Sequence, residues 1–282
     1  MSRITPEPAQ TPSTTGIAPG RVRIHHIAQA KALGTPITML TAYDALTAPI
    51  FEAAGVDMLL VGDSYGNVVL GHSSTIPVTL DDMERATASV CRSVHRVMVV
   101  ADLPFGTYED DPRRAFDSAA RLMRVGAHAV KLEGGAQRAP IIRALVDAGI
   151  PVCAHVGYTP QSENLLGGPR MQGRGDSRER LLADIRALEE AGAFAVVLEM
   201  VPASLAAEIT AATTMATIGI GAGPATDGQV LVSSDMAGMT EWVPSFVRRF
   251  GELGAALESA TRDYVESVRA RAFPGEGNYR DE

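Results

Sequence analysis

The sequence predicts a (β/α)₈ barrel, and three observations predict it. Eight short apolar runs alternate with longer helix-like stretches along 282 residues. The runs are continuously apolar rather than alternating, which is the pattern of parallel strands covered on both faces. One phrase of helix end, glycine and buried run recurs in EAAGVDMLLVG, RVGAHAVKLEGG and EEAGAFAVVLEMV. The length suits a single such domain, since α/β barrels run to about 250 residues. An open, doubly wound sheet is the alternative architecture for the same alternation.

Taken in order, residues 1–20 are rich in Pro, Thr and Ser and predict a flexible, disordered tail. One barrel domain is expected over 21–276 and a short C-terminal tail over 277–282. Helical character runs from near His25 to Gly34. The strand candidates are PITMLTAY (36–43), DMLLVG (57–62), VMVVAD (97–102), AVKLE (129–133), PVCAH (151–155), AVVLE (195–199), ATIGIG (216–221) and QVLV (229–232). Thr79 followed by Asp81 and Asp82 opens a helix over 79–94, because acidic side chains favour helix N-termini. Pro112 at a first helical position and Gly126 past the last bound a helix over 112–125. Gly192 ends another over 178–191. The stretch 244–271 is amphipathic and predicts a helix that closes the barrel or packs on a neighbouring subunit.

Composition narrows the function classes. Hydrophobic residues make up 46% and charged residues 21%, an ordinary globular balance. A net charge of −8 argues against nucleic acid and anionic membrane surfaces, which select basic faces. Anionic substrates stay open, because a bound divalent metal reverses the local field. Cys91 and Cys153 lack ligand-spaced neighbours and read as reduced core residues. Neither a signal-peptide pattern nor an apolar run of about 20 residues is present. A cytoplasmic location is therefore expected.

Barrel active sites lie at the C-terminal ends of the strands. Asp63 follows strand 2, Asp102 ends strand 3, Glu133 ends strand 4, His155 ends strand 5 and Glu199 ends strand 6. Lys131 lies two residues before Glu133 and so shares its side of the strand. A buried carboxylate needs a partner or a metal. One Lys and one His cannot satisfy so many, and a hard divalent cation with oxygen ligands is the simplest resolution. Capping of the following helix is the alternative for any one of these acids, and for Asp44 it is the preferred reading. His72 in GHSST reads as a loop residue either near the site or in a structural hydrogen bond. His25, His26, His95 and His128 read as ordinary helix or loop histidines. GIGAG (219–223) sits where barrels often bind phosphate, although glycines also permit close packing. The long connection 157–175, with Arg170 and Arg174, is expected to be a mobile cover over the site, a plain disordered insertion being the alternative.

Six ordered motifs carry a resemblance. GDSYGNVVLGHSSTIPVTLDDM (62–83), ADLPFGTYE (101–109), VKLEGG (130–135), HVGYTPQS (155–162), LEMVPASLA (198–206) and IGIGAGPATDGQVLV (218–232) resemble the ketopantoate hydroxymethyltransferase family over residues 24–276. The resemblance implies a barrel of the phosphoenolpyruvate/pyruvate type that transfers a hydroxymethyl group from 5,10-methylenetetrahydrofolate to 3-methyl-2-oxobutanoate. The product is 2-dehydropantoate, on the route to pantothenate and coenzyme A. It implies Mg²⁺ held by Asp63 and Asp102, with Glu133 in or next to the metal shell. It implies contacts to the keto acid from Ser64, Asp102 and Lys131, and Glu199 as proton acceptor. Asp63 and His155 complete the expected substrate contacts. The resemblance further implies a homodecamer, a pentamer of dimers.

The chemistry of the residues agrees with these roles. Chelation of the carboxylate and carbonyl by Mg²⁺ stabilises the enolate left when C3 loses its proton. Lys131 adds positive charge beside the same oxygens, and Glu199 takes the proton. Two positions depart from the family pattern: Pro224 stands where Asn is common, and Met200 where Cys is frequent. Another Mg²⁺-dependent keto-acid barrel, of the isocitrate-lyase or phosphonopyruvate kind, is the nearest rival, but its Lys-Lys-Cys-Gly-His motif is missing. A non-catalytic metabolite-binding barrel predicts loss of a strand-end carboxylate, and none is lost.

Overall fold

The computed structural model of the chain describes residues 16–280. Eight strands close into a barrel in sequence order. They are β1 (Ile37–Thr41), β2 (Met58–Val61), β3 (Met98–Asp102), β4 (Ala129–Glu133), β5 (Val152–Gly157), β6 (Ala195–Glu199), β7 (Ala216–Ile220) and β8 (Gly228–Leu231). Neighbouring strands from β1 through β8 pair in parallel. Closure excludes the open sheet and bears out the barrel.

Why the strands read as continuous apolar runs is visible in the two cores they separate. Odd positions of β3, Met98 and Val100, join Met58, Leu60, Cys153, Val197 and Ile218 inside the barrel. Their neighbours Val99 and Ala101 join Leu59, Val130, Leu132, Val196 and the surrounding helices outside it. Side chains alternate along a strand, so an inner series that starts apolar at the bottom continues to the top. On β3 that series ends at Asp102, on β4 it runs Ala129, Lys131, Glu133, and on β6 it ends at Glu199. The period of two thus carries the charged residues into the barrel mouth.

The helices form where their signals stand. Thr79 caps Leu80–Cys91 reciprocally with Asp82, each side chain accepting the other's backbone N–H. Asp111 caps Pro112–Arg124, with Pro112 in the first turn. Gly34 ends Ile24–Leu33 in the left-handed conformation that glycine adopts at little cost. Ser177–Glu190 closes before Gly192.

Two expected boundaries shift. Residues 1–15 of the expected tail lie outside the described residues, as do 281–282. Ile17 and Ala18, expected within that tail, instead pack at the barrel floor: Ala18 is buried with the inner cluster, and the Ile17 N–H donates to Asp57 Oδ1 at 3.0 Å. Two compact units are present, one ending at Val230 and the other beginning at Leu231. In the second unit the helix spans only Leu253–Arg269, so residues 244–252 do not join it. The backbone N–H groups of Phe250 and Leu253 donate to the carbonyls of Met236 and Ala237. That tie to the short helix Ser233–Met236 replaces the helical ladder the amphipathic pattern predicts. Among the described residues no helix is long and apolar enough to cross a membrane.

Candidate active site

Strand register brings the charged residues together. Asp102 pairs with Lys131 across β3 and β4. Glu133 pairs with His155 across β4 and β5, and Gly157 pairs with Glu199 across β5 and β6. All of these positions face inward at the top of the barrel. Asp63 arrives just past β2, where its backbone N–H donates to Asp102 Oδ2 at 3.0 Å.

The electrostatics are severe. Asp63, Asp102, Lys131, Glu133 and His155 are all buried. Lys131 Nζ lies 3.1 Å from Asp102 Oδ1 and 3.9 Å from Glu133 Oε1. His155 sits between two acids, with Nδ1 at 3.4 Å from Glu133 Oε1 and Nε2 at 3.2 Å from Glu199 Oε2. Burial, with the charges of Asp102 and Glu133, pushes the Asp63 carboxyl up to about 8. Burial raises Asp102 as well, although Lys131 opposes it. Burial also works on Glu133 in that sense, but the adjacent His155 and Lys131 overcome it and hold Glu133 below its ordinary range. For Lys131, burial favours the neutral amine and is outweighed by Asp102, Glu133 and Asp63. His155 is raised to about 9: burial and Lys131 act against its proton, and Glu133 and Glu199 prevail.

These groups fit a hard divalent cation. Four carboxylates face one ammonium and one imidazole, so with the imidazole charged and Asp63 protonated one negative charge remains, and two once a cation displaces the Asp63 proton. Asp102 Oδ1 and Glu133 Oε1 are buried without a hydrogen bond of good geometry, their cationic neighbours being placed by charge rather than by alignment. One ammonium shared between two buried carboxylates is a costly arrangement unless a further cation meets them. Among the described residues no group of three or more His, Cys, Asp or Glu forms a metal cage.

Glu199 is set apart. It is the most open of the six, its side chain 16% exposed where His155 is 4%, and it lies on the far side of His155 from Lys131. Its presentation depends on Gly157, whose φ of +96° favours glycine. A side chain at 157 would collide with the Glu199 carbonyl, which accepts the Tyr158 N–H at 2.8 Å. The residue after the carboxylate, Met200, has a φ of +49°, an uncommon conformation for a non-glycine residue. Its carbonyl accepts the Gln172 N–H at 2.9 Å, which fastens the long connection 157–175 beside Glu199.

Ser64, expected near the substrate, exchanges a hydrogen bond with the buried Tyr43 hydroxyl at 2.8 Å. Asp44 is a helix cap, as expected: its Oδ1 accepts the N–H groups of Leu46 and Thr47. His72 is exposed and is tied through its backbone to Gly66 and Asn67. Gly219 is packed too closely against Thr226 to accept a side chain, which gives that glycine a packing reason. Cys91 and Cys153 are both free thiols.

Residues that the sequence reading assigned no role also enter the site. Tyr108, Gln161 and Tyr43 are buried and bonded to its acids or to Ser64. Tyr108 and Gln161 lie within the ADLPFGTYE and HVGYTPQS motifs. Their neutrality hides them in sequence, where a charge at a strand end stands out and a neutral polar side chain in a loop does not.

Comparison with known proteins converges on one family. A model of the ketopantoate hydroxymethyltransferase family matches residues 21–276, across the division at Val230. A 3-methyl-2-oxobutanoate hydroxymethyltransferase of Corynebacterium efficiens is 55% identical over 264 residues, covering 93% of this chain and 98% of its own. One of Thermobifida fusca is 54% identical over 278 residues, covering 98% of each chain. Among solved structures, a phosphonopyruvate hydrolase superposes with a TM-score of 0.60 at 14% identity, covering 91% of this chain and 90% of its own. A 2,3-dimethylmalate lyase of the PEP mutase/isocitrate lyase superfamily superposes with a TM-score of 0.57 at 19% identity, covering 92% of each chain. At those identities the solved structures speak to the fold alone.

Proposed function

The chain belongs to the ketopantoate hydroxymethyltransferase family, and on that premise we propose how its mouth performs the transfer. The chain is an enzyme that moves a hydroxymethyl group onto 3-methyl-2-oxobutanoate, giving 2-dehydropantoate for pantothenate biosynthesis. The one-carbon donor is 5,10-methylenetetrahydrofolate, and residues 21–276 act as the catalytic domain. The observation that carries this reading is the meeting of Asp63, Asp102, Lys131, Glu133, His155 and Glu199 in one inward-facing layer.

Asp63 and Asp102 would hold Mg²⁺, with Glu133 beside them supporting its shell. Bound there, Mg²⁺ supplies Lewis-acid polarisation of the keto acid's carboxylate and carbonyl oxygens, which makes the C3 proton removable. Lys131 places a fixed positive charge beside Asp102 and so beside those oxygens. Ser64, oriented by Tyr43, is the neutral hydroxyl at the same rim. Glu199 removes the C3 proton from its more open position. Water cleaves the two C–N bonds of the folate's methylene bridge, giving tetrahydrofolate and a formaldehyde-level carbon, and the carbon nucleophile attacks that carbon, whose oxygen takes up a proton to give the hydroxymethyl product. His155 holds positive charge 3.2 Å from the Glu199 carboxylate and contacts the substrate edge. The connection 157–175, fastened at Met200, limits water near the reacting carbon.

The second unit supports a homo-oligomer. The helix Leu253–Arg269 has no buried residue, yet exposes Leu253, Leu257, Tyr264 and Val268. A homodecamer built as a pentamer of dimers would cover such a face. One assay tests the reaction: 3-methyl-2-oxobutanoate with methylenetetrahydrofolate and Mg²⁺ should give 2-dehydropantoate, and EDTA should stop it. Turnover unaffected by EDTA would remove the metal assignment, and the absence of product with Mg²⁺ present would remove the reaction.

A further inference from the structure

One neutral residue connects the acids of the mouth. Gln161 is 6% exposed and lies in the single 3₁₀ turn Pro160–Ser162 that follows β5. Its side-chain Nε2 donates to Asp63 Oδ2 at 2.9 Å and to the Leu103 carbonyl at 3.0 Å. Its backbone N–H donates to Glu133 Oε2 at 3.0 Å. Its Oε1 accepts the Tyr108 hydroxyl at 2.5 Å. Both amide hydrogens, the amide oxygen and the backbone donor are thus all engaged.

The network fixes the direction of every bond in it. The Glu133 N–H donates to the Tyr108 oxygen at 3.1 Å. The single Tyr108 hydroxyl proton is then free to go outward, and Gln161 Oε1 at 2.5 Å is far nearer than the Glu133 carbonyl at 3.3 Å. With Oε1 receiving that proton, Nε2 must face Asp63 and Leu103. Turning the amide over would set its oxygen against the Leu103 carbonyl, with no proton between them. Asp63 therefore meets a donor on Oδ2, and Glu133 meets one on Oε2, while Glu133 Oε1 stays without a hydrogen bond.

We propose that Gln161 is a positioning residue for the divalent cation: it occupies one oxygen each of Asp63 and Glu133 and turns the carboxylates so that their remaining oxygens face the cation. Tyr108 acts one step further out by fixing which way the amide points. This rests on the reading of the mouth as a metal site given above. Groups that orient ligands in this way are worth about 10- to 100-fold in metal affinity.

The test uses the full chain with Mn²⁺ as the probe, its binding followed by electron paramagnetic resonance in the presence of 3-methyl-2-oxobutanoate. Gln161→Met keeps the volume and removes the side-chain bonds. It should weaken Mn²⁺ binding about 10- to 100-fold, while circular dichroism stays near that of the unsubstituted chain and the metal-free unfolding temperature falls, because the buried Leu103 carbonyl and Tyr108 hydroxyl lose their partner. Tyr108→Phe should weaken binding in the same direction by a few-fold. In turnover, the Mg²⁺ concentration for half-maximal rate should rise in Gln161→Met, with kcat returning toward the original value at saturating Mg²⁺. A merely structural role would not be rescued by added metal. Unchanged Mn²⁺ affinity in Gln161→Met, beside normal binding by the unsubstituted chain, overturns the inference alone. No Mn²⁺ binding by the unsubstituted chain overturns the metal-site reading and this inference with it.

Discussion

The floor and the mouth of the barrel both hold buried or half-buried acidic side chains, and they differ in what those acids meet. At the floor, Asp57 Oδ2 accepts the Thr38 N–H and hydroxyl at 3.0 and 2.8 Å, while Oδ1 accepts the Ile17 N–H. Asp227 Oδ2 accepts the Thr217 N–H and hydroxyl at 2.8 and 2.9 Å and pairs with Lys31 at 2.8 Å. Glu52 accepts the N–H groups of His95, Arg96 and Val97. The two Asp–Thr clamps are the same device: the residue before one strand holds the second residue of the strand preceding it. At the mouth, by contrast, carboxylates face one another, and Asp102 Oδ1 and Glu133 Oε1 lack hydrogen bonds. A buried acid whose oxygens are all met by donors is part of the scaffold. A group of acids left short of positive charge is a site, because the fold keeps them close at a cost in stability.

Paired substitutions break that comparison most directly. Asp57→Ala at the floor leaves the Thr38 and Ile17 donors and the Arg96 charge without their partner. It should cost roughly 3–5 kcal/mol of stability, read as a large fall in unfolding temperature, with Mg²⁺-dependent keto-acid binding unchanged in the folded fraction. Asp102→Asn at the mouth should do the reverse. Metal-dependent binding of 3-methyl-2-oxobutanoate should fall by about 100-fold or more, and the metal-free protein should unfold no earlier, since one repelling charge is gone. If Asp102→Asn instead unfolds readily and keeps its affinity, the two ends have been assigned the wrong way round.

Within the mouth, the same logic separates Glu199 from the other acids. Glu199→Gln removes only the group assigned to proton transfer. Exchange of the C3 proton of 3-methyl-2-oxobutanoate with deuterium should slow by about 10²- to 10⁴-fold, with keto-acid and Mg²⁺ affinity within a few-fold. Exchange at the original rate would take the base role away from Glu199.

The comparison also explains what could be read from the chain. The acids of the mouth were legible because each ends an apolar run, and the inner-face period of two carried them to one layer. His155 and Lys131 were legible for the same reason. Gln161, Tyr108 and Tyr43 were not, because a neutral polar side chain in a loop looks the same in sequence whether it is exposed or bonded to a buried acid. The floor clamps were hidden for a related reason: Asp57 and Asp227 precede strands, where acids are common in turns. The segment 244–252 misled because amphipathic spacing reports side-chain faces and not which carbonyl receives each backbone N–H. Ile17 misled because a Pro- and Thr-rich composition says nothing about one apolar pair, Ile17 and Ala18, that reaches the barrel floor.

A third member of the floor gives the smallest effect and tests the idea by pH. His128 precedes β4, and its Nδ1 accepts the N–H of Val99, the second residue of β3, at 2.9 Å. It stands to β3 and β4 as Asp57 stands to β1 and β2, with an imidazole in place of a carboxylate. Only an unprotonated Nδ1 accepts that bond. Burial, with Arg21 and Arg23 nearby, holds the ring down to about 4 from its ordinary 6.5. A folded value below the unfolded one means the unfolded chain binds the proton first. The stabilisation is complete above the unfolded value and is lost as pH falls through the folded one. A shift of this size corresponds to roughly 3 kcal/mol, which the ring's partial access to solvent reduces to roughly 1–2 kcal/mol. His128→Asn offers an amide oxygen that accepts without titrating. Between pH 6.5 and 4 its unfolding free energy should therefore decline less steeply than that of the unsubstituted chain. Parallel acid limbs for the two proteins would show that His128 is not a clamp, and would leave the carboxylate pairs as the whole of the floor device.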